Sequence, residues 1–149
     1  MSLVLLLQFV HVVAAMIAVG ANVTYVFWQR AAGRDPERLV YTLRTVRRLD
    51  NLVATPAYIV VLVAGLAMVW TGSYSLTAGW ISASIGLFVL IIVFGMVFYA
   101  PALKRQLTEA ERDPASPAYA DAARRATIYG MATLAIVIVI VFLMVTKPF

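Results

Sequence analysis

The chain has 149 residues, of which 63% are hydrophobic and 13% charged; it carries a net charge of +5 and has no cysteine. Soluble domains average about 45–50% apolar and about 25% charged residues, and a chain this small must still cover its surface with polar groups, so part of its solvent must be hydrocarbon. Without cysteine there are no disulfides, thiolate nucleophiles or cysteine-held metal and iron–sulfur sites, and the placement of the positive charge argues against a nucleic-acid partner.

Three segments carry no Asp, Glu, Lys or Arg: Leu3–Gln29, Asn51–Leu103 and Ala126–Thr146. A spanning helix needs roughly 20 apolar residues. The first segment therefore holds one span, expected over 3–28. No basic residue precedes it, so it reads as a retained helix with its N-terminus outside rather than a cleaved signal peptide. It contains the chain's single histidine, within LLLQFVHVVAAM (Leu5–Met16). Gln8, His11, Ala15, Ala18, Asn22 and Tyr25 recur in steps of three and four and share one helical face, with Leu6, Val13 and Ile17 opposite. Polar groups turned to lipid would go unsatisfied, so this stripe predicts a protein neighbour: another span, a second copy of the chain in a homo-oligomer, or a partner membrane protein.

The first loop reads RDPERLVYTLRTVRRLDN from Arg34. Asp35 is a good N-cap and Pro36 suits the first helical turn, so the second helix is expected to start near 36, below the membrane. Leu39, Leu43 and Val46 make an apolar stripe there, whose expected partner is the matching extension before span four. Span two is expected over 52–71. It presents Thr55, Tyr58, Leu62, Gly65 and Val69 on one face, and Pro56 should bend it, with Thr55 or Asn51 supplying a compensating hydrogen bond.

The turn-rich TGSYSLTAGW (Thr71–Trp80) divides the long middle segment. Span three follows over 80–102 with Ser84, Phe88, Ile91, Gly95 and Tyr99 on one face, and Pro101 marks its exit from the bilayer. The third loop reads RDPASPAYADAARRATIYG from Arg112, and Ser116–Pro117 repeats the capping device. The fourth helix should therefore begin near 117 and span 127–146, with Gly130 and Thr133 near its inner end. The expected fold is all-α: one domain, a four-span membrane bundle. The repeated Arg-Asp-Pro and arginine pairs suggest two hairpins related by an axis along the membrane normal, with cytoplasmic extensions of helices two and four.

Arg30, Arg34, Arg38, Arg44, Arg47 and Arg48 lie in the first loop and Lys104, Arg105, Arg112, Arg124 and Arg125 in the third, eleven of the twelve basic residues. The positive-inside rule puts both loops in the cytoplasm and both termini outside, in a bacterial inner membrane. Trp28, Tyr99 and Tyr129 would form the inner aromatic belt and Trp70, Tyr74 and Trp80 the outer one. Arg47, Arg48, Arg124 and Arg125 are placed to attract anionic membrane lipid headgroups.

No span carries an ionisable residue other than His11, which argues against proton- and ion-coupled transport. Nor can a Ser–His–Asp set assemble, because the carboxylates lie in the cytoplasmic segments. His11 reads in two ways. It is a structural hydrogen-bonding residue tied to Gln8 or to a hydroxyl on another span, or it is an axial ligand to haem b in a cavity made by Ala14, Ala15, Ala18 and Gly20. The second haem ligand would then be Met16, Met68, Met96, Met131 or Met144, the His11 of another copy, or none. Copper held by His and Met and a substrate site are further alternatives.

The opening LLLQFVHVVAAMIAVGANV resembles the first span of a bacterial family of predicted four-helix membrane proteins of unknown function (DUF2269), and the ending FLMVTKP (Phe142–Pro148) is similar to that family's C-terminal signature. The Phe9-x-His11 start also resembles the first helix of the copper-resistance D and membrane protoporphyrinogen oxidase groups. Those carry a tryptophan and paired glycines after the histidine, where this chain has MIAVGA with one Gly20, and the oxidase uses a mid-membrane lysine that this chain lacks. That second resemblance implies a haem role for His11 and nothing more. The expectation is a non-enzymatic accessory or structural bundle, with a haem-binding redox protein and a small-solute carrier or channel as the alternatives.

Overall fold

A computed structural model describes residues 2–33 and 35–149. Arg34, counted above among the first-loop charges and in the repeat, lies outside the described residues, as does Met1. Four helices account for nearly all of the rest: α1 (Leu3–Ala32), α2 (Pro36–Trp70), α3 (Gly79–Arg112) and α4 (Pro117–Thr146), each long and apolar enough to cross a membrane. At about 1.5 Å per residue each exceeds the roughly 30 Å hydrocarbon thickness, so every helix projects from the bilayer. Two ends result: a basic end, where α1 is followed by α2 and α3 by α4, and a neutral end with Leu3, Phe149 and the turn 71–78.

The starts of α2 and α4 follow from their caps. The Asp35 carboxylate accepts from the Arg38 N–H at 3.1 Å and the Ser116 hydroxyl accepts from the Tyr119 N–H at 3.1 Å, each ahead of a proline in the first turn. These side chains satisfy N–H groups that have no partner inside the helix.

The third helix differs from expectation. It is longer than the expected span and continues as helix through Pro101 to Arg112. The reason lies in one turn. Gly95–Tyr99 is wound as a π-turn, and the Ala100 N–H donates to the Gly95 carbonyl, five residues back. A proline offers no N–H to the preceding turn, and the wider winding re-pairs the carbonyls ahead of it. α2 uses the same device: Asp50–Ala54 is a π-turn, the Thr55 N–H donates to the Asp50 carbonyl, and Pro56 follows. The side chains of Thr55 and Asn51, expected to supply that compensation, are instead exposed.

Both π-turns sit at the same level, where an amphipathic segment at the basic end meets an apolar one. Below them, Pro36–Leu49 packs against α1 and Ala100–Arg112. Leu39, Leu43, Ala32 and Ala110 form a buried cluster there, flanked by Val40, Leu107 and Tyr119. The partner of the Leu39–Leu43–Val46 stripe is thus mainly the extension of α3, a segment expected to be loop, and only Tyr119 comes from α4. Glu111 ties the two extensions by accepting from Arg44 at 2.8 Å.

Above the π-turns, α1 packs on α2 and α3 on α4, which makes two hairpins. Among the described residues the backbones of Thr55–Trp70 and Gly79–Phe94 do not approach each other. The Tyr58 and Phe88 rings reach across edge to face, with centroids 6.0 Å apart. At the neutral end the chain closes on itself. The Trp80 N–H donates to the Phe149 carbonyl at 3.3 Å, and Gly79 leaves room for the Phe149 ring, which lies 2.6 Å from where a Cβ would stand.

The basic end should therefore respond to mutation like a water-soluble core. Leu43, fully buried, should lose about 2–5 kcal/mol as Leu43→Ala. Glu111→Gln, which breaks a pair whose side chains are 60% and 39% exposed, should change stability by less than about 1 kcal/mol. Thermal unfolding of the two variants in one detergent checks the ordering.

Candidate functional site

Where the hairpins stay apart, the neutral half of the bundle holds a half-open cavity of 630 Å³ reached by all four helices. Aliphatic and aromatic side chains make most of its wall. Tyr58, Phe88 and Ile91 line its deeper part, and Tyr74, Trp80 and Lys147 line it toward the neutral end. The Lys147 ammonium stands 5.5 Å from the Trp80 ring centre and 5.8 Å from that of Tyr74, close enough for cation–π attraction.

His11 enters this cavity from α1, about 12 Å below the helix start. Its Nδ1 lies 2.8 Å from the Val61 carbonyl oxygen on α2. A carbonyl can only accept, so Nδ1 carries the proton and, in the neutral ring, Nε2 is left as an acceptor or ligand atom. The contact depends on Gly65: a Cβ there would stand 3.3 Å from His11 Cε1. The expected partner Gln8 lines the same cavity but does not bond His11; the backbone of α2 does.

Farther along α1, Asn22 Nδ2 donates to the Tyr58 hydroxyl at 2.6 Å, again joining α1 to α2. Tyr25 is buried, and Thr55 is exposed on the bundle surface, away from the polar seam in which it was expected. Of the methionines considered as ligands, Met16, Met68 and Met144 line the cavity with His11, whereas Met96 does not and Met131 lines a different space. Ala15 and Gly20 line the cavity, and Ala14 and Ala18 are buried in helix packing. Among the described residues no three His, Asp or Glu side chains group as metal ligands.

Arg48, Arg124 and Arg125 are exposed at the basic end and Arg47 is partly so. Arg125 pairs with Asp121 at 3.0 Å, one helical turn away.

A second, smaller space of 330 Å³ lies at the basic end between α1, α3 and α4. Tyr25 and Gln106 line it, and the Tyr25 hydroxyl and Gln106 Oε1 are buried without a hydrogen-bond partner. An unpartnered buried polar atom costs about 1–3 kcal/mol. Sequence reasoning missed Gln106 because it falls beyond Pro101, although Leu103, Gln106 and Ala110 recur at helical spacing. It also missed Lys147 as a cavity residue, since its aromatic partners are more than sixty positions away in the chain.

In comparison with known proteins, the family described as predicted integral membrane protein (DUF2269) matches over residues 5–148. No curated protein and no solved structure matches the chain.

Glycine substitutions separate the two faces of α1 and α2. Gly20→Ala meets open space and should stabilise the bundle by roughly 0.5–1 kcal/mol through helix propensity. Gly65→Leu drives a side chain into the imidazole and should destabilise it by about 1–3 kcal/mol. Unfolding midpoints in detergent report both signs.

Proposed function

The chain belongs to the DUF2269 family of predicted integral membrane proteins, and from that premise we propose that it is a non-enzymatic binding bundle, holding an apolar guest between its two hairpins. The cavity of 630 Å³ carries this reading. Its size is that of a small-molecule site, its wall is largely apolar, and a few polar groups, the His11 imidazole and Gln8 among them, are placed to orient a guest. The Lys147 ammonium would meet an acidic group near the neutral end. Every Asp and Glu of the chain falls between residues 35 and 121, in or beside the segments of the basic end, so no acidic side chain stands beside His11 for proton-transfer chemistry.

One observation favours a second reading, a haem-binding redox protein. The Nδ1–H bond of His11 to a backbone carbonyl is the arrangement that fixes an imidazole for ligation through Nε2, and Met16, Met68 and Met144 line the same space. When bound, haem b would supply electron transfer, and His11 would hold its iron.

The setting of this function is a bacterial inner membrane with the basic end in the cytoplasm and both termini outside, by the positive-inside rule. Arg47, Arg48, Arg124 and Arg125 lie where anionic headgroups would meet them. A second copy of the chain or another membrane protein is the proposed neighbour of the apolar flank that includes Phe9, Met16 and Phe27, each more than 60% exposed.

Two measurements on protein purified in mild detergent test the cavity. Solvent extraction and mass spectrometry should recover an apolar molecule from the native chain and about tenfold less from Ala15→Phe, which fills the space with the equivalent of some 1.4 kcal/mol of lost affinity. Equal recovery from both contradicts the binding role. The visible spectrum decides between guests: a Soret band abolished by His11→Ala establishes haem, and a colourless preparation that still carries a guest excludes it.

A further inference from the structure

The smaller space at the basic end is a slot whose two ends differ in chemistry. Toward the loops it meets the charged Arg30 with Gln29 and Gln106; toward the bundle centre it meets Met131 and Leu134 together with Asn22 and Thr133, and Val26 lies between the two ends. On α4 the slot runs from Tyr119 to Leu134, about 22 Å along the helix. A space that long crosses from headgroup level into hydrocarbon, because the polar zone on each face is only about 5–7 Å deep.

Its polar end is incompletely satisfied. Tyr25 is 3% and Gln106 2% exposed, and the Tyr25 hydroxyl and Gln106 Oε1 have no partner. Gln106 Nε2 donates to Gln29 Oε1 at 3.1 Å. With Nε2 used in that bond, Oε1 is left as an acceptor in need of a donor. Arg30 adds a guanidinium that makes no ion pair among the described residues. A guest matching all of these features has an anionic oxygen for Arg30, an N–H or O–H for Gln106, an acceptor for the Tyr25 hydroxyl, and a hydrocarbon tail to lie along Val26, Met131 and Leu134.

We infer that this slot binds a phospholipid whose headgroup carries a hydrogen-bond donor, of the phosphoethanolamine or phosphoglycerol type, with its phosphate at Arg30 and its donor at Gln106. Ordered water could satisfy the two orphaned atoms, but it would leave the apolar half of the slot unexplained. A water-soluble phosphate ester would share the headgroup chemistry and lack the tail. The inference is independent of what occupies the larger cavity, from which the slot is separate.

The test uses the full chain, delipidated in detergent and titrated with lipids of identical acyl chains under native mass spectrometry. Phosphatidylethanolamine and phosphatidylglycerol should bind about tenfold tighter than phosphatidylcholine, whose headgroup has no N–H or O–H; this is the fold-change of one good hydrogen bond to a charged group. Gln106→Leu should abolish the preference. Tyr25→Phe, which removes only a hydroxyl, should weaken binding with the helical circular dichroism unchanged, and it keeps the test decisive if Gln106→Leu does not fold. Arg30→Gln should weaken all three lipids alike. Equal binding of phosphatidylcholine, a preference that survives Gln106→Leu, undiminished binding by Tyr25→Phe, or indifference to Arg30→Gln would overturn the assignment. Glycerophosphoethanolamine competing as well as the intact lipid would also overturn it, assigning the slot to a free phosphate ester.

Discussion

In hydrocarbon there is no water to complete a broken hydrogen bond, and the architecture above the basic end depends on that constraint. Two prolines interrupt the two longest helices, and each is preceded by a π-turn that re-pairs the backbone. Two polar side chains of α1, those of His11 and Asn22, obey the same rule. His11 takes the Val61 carbonyl as its partner and Asn22 takes the Tyr58 hydroxyl, so α1 and α2 are joined twice within the spanning region. Gly65 allows the first of these contacts by having no side chain where the imidazole lies.

The basic end follows different physics because water reaches it. There Pro36–Leu49 and Ala100–Arg112 bury aliphatic side chains against each other and the end of α1 as a soluble bundle would. This lower clamp holds the hairpins together, and the neutral halves of α2 and α3 stay apart above it. Clamp and cavity are therefore linked: a bundle closed along its whole length would have no space of 630 Å³. The C-terminal segment finishes the neutral end, with Phe149 seated at Gly79 and the Lys147 ammonium over Tyr74 and Trp80.

Much of this was legible in the residues. Charge-free runs located the four spans, and Asp35–Pro36 and Ser116–Pro117 located two helix starts, because capping is a local matter of a few side chains and N–H groups. The three-and-four spacing of Gln8, His11, Asn22 and Tyr25 set one face of α1 apart, and His11 and Asn22 on it bond to α2. What escaped was either non-local or encoded in the backbone. The helical extension beyond Pro101 was not expected, since nothing in its neighbourhood signals that a π-turn will carry the helix past it. Thr55 sits at the right spacing for the seam, yet it is exposed, because its position directly follows the π-turn that shifts the winding of α2. The cavity arises from a contact that α2 and α3 do not make, and helical periodicity carries no information about that. The partner of His11 is a main-chain carbonyl, which no side-chain pattern can reveal.

The central claim is that α2 satisfies the polar groups of α1 at His11 and Asn22, with His11 as the clearer instance. Nitrogen-15 NMR of the single histidine, recorded in lipid nanodiscs at neutral pH, tests it directly. The account predicts a neutral ring protonated at Nδ1 with an unprotonated Nε2, slow to exchange with solvent and returned to fast exchange by Gly65→Leu. A ring protonated at Nε2, or one exchanging freely between both forms in the native chain, would contradict it.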